Sequence, residues 1–392
     1  MKAAHDQSAL HVFLVAGEES GDRLGAALMR ALKKQVAGRT QFFGVGGEHM
    51  AGEGLTSLFP IDEIAVIGIA GIPAIVVNAL RRIRQTADAV VAAKPDVLVI
   101  IDSPDFTHRV ARRVRKLAPE IPIIDYVSPS VWAWRPGRAR AMRGYIDHVL
   151  ALLPFEPDVH QRLGGPPCSF VGHPVSERVS QLRPDAIEAN RREDSPPILL
   201  VMPGSRKGEL KRMLPLFERT VALIAKRIHP IEIVVPTVPG LAPILEAAVS
   251  QWPVPARVIS DPVQKDAAFR NARAAVVKSG TGTLELALAG VPMVAVYRMS
   301  ALEAVFFRWL IKSSSVILAN LVIGENVVPE FLQNDATPER LAESAIPLLS
   351  DTPQRRRQVQ AFARLDDIME IETAVPSVRA AKIVLDCVRR DR

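Results

Sequence analysis

The 392-residue sequence contains only two cysteines, Cys168 and Cys387, and no CxxC pair. It therefore has neither a disulfide framework nor a thiolate metal site, and it fits a reducing compartment. Aromatic residues make up only 5%. With no zinc-finger, RNA-recognition or helix-turn-helix signature to accompany the basic residues, nucleic-acid binding is disfavoured. No apolar run approaches the ~20 residues that cross a bilayer, and Met1 to Ser8 lacks the basic-then-apolar order of a signal peptide. A cytoplasmic chain is expected. The eight histidines make no HExxH or paired-ligand spacing, and neither a GxSxG elbow nor a GxGxxG fingerprint occurs. Zinc hydrolases, α/β-hydrolases and dinucleotide dehydrogenases thus lack their signatures here.

What is present is a globular composition, 48% apolar and 23% charged, which excludes a disordered or fibrous protein. The 49 Lys and Arg against 42 Asp and Glu give a net charge of +7, favouring anionic partners. The length fits two domains.

Short β-branched runs alternate with longer helical patterns, the sign of a parallel α/β architecture. The first series is His11–Ala16, Phe42–Val45, Val97–Ile101, Ile121–Val127, Val149–Leu153 and Ser169–Val171; the second is Ile198–Met202, Ile231–Val235, Arg257–Ser260, Ala274–Val277 and Met293–Tyr297. In Arg23–Lys34, Leu24, Leu28, Ala31 and Leu32 share one helical face. The polar interval His173–Pro197 reads as the link between domains. The expected division is a first Rossmann-like domain over 8–175, a second over 195–350, and a helical tail over 351–392 packing back on the first.

Ligands of open α/β sheets bind outside the carboxyl ends of the strands, and polar, glycine-rich clusters fall there repeatedly. Gly17-Glu-Glu-Ser-Gly-Asp22 follows the first run, where Gly17 and Gly21 serve either a ligand or only a tight turn, with Ser20 or Asp22 as a helix cap. Asp102 and Asp105 flank a proline at another strand end, a rigid presentation suited to a general base. Asp102, which directly follows the strand, ranks first; Asp105 can equally cap the next helix. In the second half, Ser279, Gly280, Thr281 and Thr283 lie in a turn before a helix, the pattern of a phosphate cradle without the Walker lysine. Arg206, beside Gly204 and Ser205, can supply a bidentate charge to a diphosphate. Glu285 can accept from the two hydroxyls of a ribose, or merely complement a helix start.

Ala16-Gly-Glu-Glu-Ser-Gly-Asp22, Asp102-Ser-Pro-Asp-Phe106, Tyr126-Val-Ser-Pro-Ser-Val-Trp-Ala-Trp-Arg135, Leu153-Pro-Phe-Glu156, Phe170-Val-Gly-His173, Pro203-Gly-Ser-Arg206 and Ser279-Gly-Thr-Gly-Thr-Leu-Glu285, in this order, resemble the lipid-A-disaccharide synthase family. The Ser-Val-Trp-Ala-Trp segment is the most specific of the set. The resemblance implies an inverting glycosyltransferase of the two-Rossmann-domain, GT-B type, with a cleft between its halves. It implies transfer from UDP-2,3-diacylglucosamine to 2,3-diacylglucosamine 1-phosphate, giving a β-1,6-linked disaccharide and UDP, with the UDP-sugar as substrate and neither cofactor nor metal. Carried over by position, Asp102 is the base and Glu18 lies on the acceptor side, while Arg206, Glu285, Asn320 and, more weakly, Gln333 fall on the UDP side. The departures are Glu19 and Lys278; the latter is either a further phosphate contact or a solvated charge. The rival readings are another UDP-sugar glycosyltransferase or epimerase, and a noncatalytic UDP-sugar sensor.

Acylated sugars imply a membrane surface, expected to be the cytoplasmic face of the inner membrane. Ile64–Val77, leading into Arg81-Arg-Ile-Arg84, and Leu302–Lys312 are apolar segments flanked by basic residues, suited to interfacial contact or else to a core.

Overall fold

Leu10–Ala16 forms the first strand, β1, and all seven of its residues are buried. Alternate side chains serve two cores. Val12, Leu14 and Ala16 join one apolar cluster, and Phe13 and Val15 join another. A sheet covered by helices on both faces requires such near-continuous apolar strands. The structure, a computed structural model of the chain, describes residues 9–36, 39–65, 73–298, 315–371 and 375–390. It divides into two units: the described residues up to Pro174 with those from Ile371 onward, and Val175–Glu370.

The first unit is built on β1, Thr40–Val45 (β2), Thr56–Ser57 (β3), Val97–Ile101 (β4), Ile123–Tyr126 (β5), His148–Ala151 (β6) and Cys168–Phe170 (β7). These form one sheet in the order β3-β2-β1-β4-β5-β6-β7, every pair parallel. The second unit carries Ile198–Met202 (β8), Glu232–Pro236 (β9), Ala256–Ile259 (β10), Ala274–Lys278 (β11), Met293–Tyr297 (β12) and Glu330–Leu332 (β13). Its order is β10-β9-β8-β11-β12-β13, again all parallel. The chain is thus α/β with two Rossmann-like sheets of seven and six strands. Each order reverses direction once, at β1/β4 and at β8/β11. The loops after those two strands diverge to opposite faces and leave a crevice between them.

The Glu19–Gln35 helix buries Leu24, Leu28, Ala31 and Leu32, the face read from the sequence. It starts four residues earlier than the apolar periodicity indicates, directly behind β1. The polar interval before β8 is not a solvated linker. It folds into short helices at Val179–Leu182 and Ala186–Arg191, the latter closed by an Asp185/Glu188 capping box. Arg178 grips Asp266 at 2.7 Å, and the buried Arg192 donates to the carbonyls of Phe269, Arg270 and Ala289. Burial, with the Arg355 charge beside it, lowers the Arg192 guanidinium to about 10.

The tail divides. Pro353–Ala363 and Leu365–Ile368 belong to the second unit, because Gln358 exchanges hydrogen bonds with the backbone of Met293 (2.8 and 3.1 Å) and Arg355 bonds the carbonyls of Arg273 and Leu348. Pro376–Arg390 belongs to the first unit, where Ala380, Ala381, Val384 and Val388 complete the β1 core. Gln35 ties the two helices there, donating to the Val378 carbonyl at 2.9 Å. Pro376 opens this helix, since the first helical position needs no N–H donor.

Candidate active site

The crest of the first sheet is set by close packing at its reversal point. Gly17 leaves β1 against Ser103: a Cβ on Gly17 would stand 2.4 Å from the Ser103 Cβ, nearer than any contact allows. Gly21 lets the following helix approach the Ile101 carbonyl, which a Cβ would meet at 3.2 Å. Both glycines therefore have a packing reason. Asp102 and Ser103 adopt φ of 55° and 45°, two consecutive left-handed non-glycine residues, an arrangement kept only where the surroundings enforce it. The turn is held by Thr107 Oγ1 donating to the Asp102 carbonyl at 2.6 Å and by the Asp102 N–H donating to the Tyr126 carbonyl at 3.1 Å. The Asp102 carboxylate then accepts from Ser20 Oγ at 3.1 Å and from the Ser103 N–H at 2.8 Å. Ser20 follows β1 and Asp102 follows β4, so this bond spans the reversal point.

The other acceptor-side candidates separate by role. Glu18 is exposed at the N-terminus of the Glu19–Gln35 helix and makes no capping bond. Asp105 does not cap its helix, whose N-cap is Ser103; it is exposed, with Arg138 at 3.7 Å. Asp22 caps a different helix from its own: its buried carboxylate accepts from the N–H groups of Gly47, His49 and Met50 at 2.7, 2.9 and 3.0 Å.

Beside this crest the loop after β5 begins at Val127, whose φ of 90° is an outlier for a β-branched residue. Two side chains of one helix, Glu156–Arg162, lie against it. His160 Nε2 meets Ser128 Oγ at 2.8 Å. Glu156 accepts from the Leu153 N–H at 2.9 Å and lies against the Trp132 indole. Burial pushes the Glu156 carboxyl up to about 8 and holds the His160 imidazole below its ordinary value. Neither residue was singled out in the sequence; the Leu-Pro-Phe-Glu motif was the available signal.

In the second unit Gly204 has φ of 122°, and a Cβ there would stand 2.5 Å from Glu209 Oε2. Glu209 joins the loops after β8 and β11, accepting from the Ser205 N–H at 3.2 Å and from Lys278 Nζ at 2.9 Å. Burial raises its carboxyl, but the Lys278 bond and the charges of Lys278 and Arg206 outweigh that and leave it below its ordinary value. Lys278, also over the Tyr297 ring at 5.1 Å, is therefore neither a solvated charge nor a free phosphate contact. Arg206 is exposed, 3.6 Å from Glu209.

The glycine turn after β11 is half structural and half open. Ser279 Oγ donates to the Val316 carbonyl at 2.9 Å, and the buried Thr283 hydroxyl donates to Gly280 O at 2.8 Å, so both hydroxyls face inward. The N–H groups of Gly280, Thr281 and Gly282 donate to no backbone carbonyl among the described residues, and Thr281 is exposed. Glu285 pairs with Lys265 at 3.2 Å. Gln333 follows β13 with φ of 50°, half-buried.

Asn320, expected on the UDP side, is turned into the second unit. Its side chain is 2% exposed and donates to the Val328 carbonyl and Glu330 Oε1, both at 2.9 Å, while accepting from the Val327 and Val328 N–H groups at 3.1 and 2.9 Å. All four of its hydrogen-bonding capacities are used. Glu330, also bonded to Ser315 and to the Val316 N–H, is the residue that reading the sequence missed here.

Among the described residues no His, Cys, Asp and Glu group is arranged to hold a metal ion, and no helix is long and apolar enough to cross a membrane. Of the two apolar segments, 302–312 and the stretch 66–72 of 64–77 lie outside the described residues. At their described border, Ile64 is core and Val77 is 66% exposed. Arg82 is tied to Glu63 and stacks over Phe59 at 4.4 Å. A cavity of about 280 Å3, lined by Lys94, Asp96, Glu120 and Val388, opens at the amino ends of β4 and β5, the edge away from Asp102.

Solved structures with this architecture include a UDP-GlcNAc 2-epimerase from Neisseria meningitidis bound to UDP-GlcNAc, with TM-score 0.62 and 12% identity, covering 97% of this chain and 100% of that one. MurG from Acinetobacter baumannii has TM-score 0.56 and 15% identity, covering 97% and 99%. At such identities the likeness is one of fold, and it defines a two-Rossmann-domain protein of the GT-B class. The family model described as lipid-A-disaccharide synthetase matches residues 12–384. Lipid-A-disaccharide synthases of Nitrobacter hamburgensis and Rhodospirillum centenum are 57% and 42% identical, the first over 98% of this chain and 97% of its own, the second over 97% and 95%. The chain belongs to the lipid-A-disaccharide synthase family, the glycosyltransferases of lipid A biosynthesis.

Proposed function

We propose that the chain joins UDP-2,3-diacylglucosamine to 2,3-diacylglucosamine 1-phosphate, with Asp102 as the general base. The observation that supports it best is the Asp102 carboxylate, turned by a left-handed backbone onto Ser20 at the reversal point of the first sheet. The acceptor 6-hydroxyl oxygen attacks the anomeric carbon of the donor sugar; the bond from that carbon to UDP breaks, and its electron pair leaves with UDP. The hydroxyl proton passes to Asp102, and the anomeric centre inverts. On the second unit, Arg206 and the N–H groups of Gly280, Thr281 and Gly282 are assigned to the negative charge that grows on departing UDP. Glu285 and Gln333 are assigned to the nucleoside. Glu18, exposed beside the same crest, is assigned to acceptor hydroxyls. Neither a cofactor nor a metal enters this scheme, and activity in excess EDTA should be unchanged; a strict divalent-ion requirement would overturn that part.

Asp102→Asn keeps shape and removes basicity, so transfer should fall by roughly 10²–10⁴ while UDP still binds. Turnover within about tenfold of wild type would move the base role elsewhere, Asp105 first. A noncatalytic sensor would bind the UDP-sugar and transfer nothing with Asp102 intact. We also assign the protein to the cytoplasmic face of the inner membrane, approached through residues 64–77 and 302–312. Ile69→Ser with Ile72→Ser should then weaken binding to anionic vesicles without unfolding, and unchanged binding would make these residues core.

A further inference from the structure

The loop from Val127 to Arg135 is left-handed at both ends, with φ of 90° and 52°, and is fastened by His160 at Ser128. Held in this way, it displays Trp134 beside two cations. The Arg135 guanidinium carbon lies 4.5 Å from the centre of the Trp134 ring, and that of Arg138 lies 5.6 Å from it. Among the described residues the only carboxylate within ion-pair distance of Arg138 is Asp105, at 3.7 Å, and none pairs with Arg135. An aromatic face orients a guanidinium plane, and two such forks short of carboxylate suit an oxyanion that can take paired hydrogen bonds.

We propose that Trp134, Arg135 and Arg138 bind the phosphate monoester at position 1 of the acceptor sugar. The assignment rests on the transfer reaction proposed above. β5, which leads into this loop, is hydrogen-bonded beside β4, which leads into Asp102, and neighbouring strands run ~4.8 Å apart. Asp105, in the first turn of the helix behind Asp102, touches Arg138. The phosphate on C1 and the attacking 6-hydroxyl, carried through C6 on C5, flank the ring oxygen of one pyranose. The anion site must therefore lie within about one sugar ring of the base, and the adjacent strand end is that close. The nucleotide-side candidates all belong to the other sheet.

The test uses the full chain as wild type, as Arg135→Gln with Arg138→Gln, and as Arg135→Lys with Arg138→Lys, on acceptors with and without the 1-phosphate. The glutamine pair should raise KM for the phosphorylated acceptor roughly ten- to a hundredfold, the loss of one or two charge-assisted hydrogen bonds, with KM for the UDP-sugar unmoved. On the phosphate-free acceptor it should match wild type. The lysine pair, keeping charge without the forks, should fall between. Equal losses on both acceptors would make the loop merely structural, and a raised UDP-sugar KM would assign the site to the nucleotide; either overturns the proposal. So would lost binding to anionic vesicles with acceptor KM unchanged, which would point to a lipid headgroup. Calorimetric binding of the phosphorylated acceptor without UDP-sugar keeps the two readings apart. Binding abolished by the glutamine pair, in a wild type that transfers nothing, would overturn the reaction and uphold the phosphate site.

Discussion

Glu156 gives this fold a pH dependence that can be separated from every other group named above. Its carboxyl is 4% exposed and is pushed by burial from 4.5 up to about 8. Between those values the folded chain holds a proton that the unfolded chain has released, so rising pH favours unfolding by about 1.4 kcal/mol per unit. The buried His160 and the half-buried His173 act in the opposite sense. Burial lowers both, His173 to about 4; their contribution is lost as pH falls below 6.5 and is flat above it. From pH 6.5 to 8 the Glu156 slope therefore stands clear of them, and amounts to about 2 kcal/mol. For a unit of this size that is a Tm fall of about 4–8 °C. Glu156→Gln keeps the volume and an acceptor for the Leu153 N–H but cannot titrate. Thermal melts of both proteins at several pH values across this window should show wild type falling relative to the variant. Parallel curves would mean that Glu156 is not the protonated, buried acid argued here.

Gly17→Ala should destabilise the first unit by about 1–3 kcal/mol and reduce transfer further, because the added Cβ meets Ser103 at 2.4 Å beside the proposed base. Adding Ser103→Gly removes the clash and suits a φ of 45°. Chemical denaturation should show the double variant recovering most of the loss, and a double variant as unstable as the single one would refute the contact. Asn320→Ala should cost about 2–4 kcal/mol, from leaving the Val327 and Val328 N–H groups and the Val328 carbonyl unpartnered. UDP affinity, measured on protein still folded, should change little; lost UDP binding at unchanged stability would return Asn320 to the nucleotide.

Each of the runs read as strands corresponds to one, because a strand buried on both faces must be apolar at nearly every position, as β1 and β4 are. The two that escaped notice, Thr56–Ser57 and Glu330–Leu332, are edge strands of two and three residues, too short for any period to register. Long-range side-chain work was also hidden. Nothing local marks Arg192 as a buried anchor, Asp22 as the cap of a distant helix, or Asn320 as a hub whose partners lie seven to ten residues on. The candidate base was legible because it is the first residue past a strand. Which neighbours would hold it was not, since Ser20 is 82 residues away.

The two sheets share an order yet present opposite chemistry at their reversal points, and the difference lies in what occupies the turn. After β4 the chain turns through two left-handed side-chain-bearing residues, so a carboxylate leads and the backbone is hidden behind it. After β11 it turns through Gly280 and Gly282 with the neighbouring hydroxyls folded inward, so the backbone N–H groups lead. A side chain that titrates is what proton removal needs, whereas fixed N–H dipoles with an arginine beside them are what an anionic leaving group needs. Exchanging the two turns would leave the strand order intact and remove both arrangements, so the proposed roles rest on the turns rather than on the shared fold.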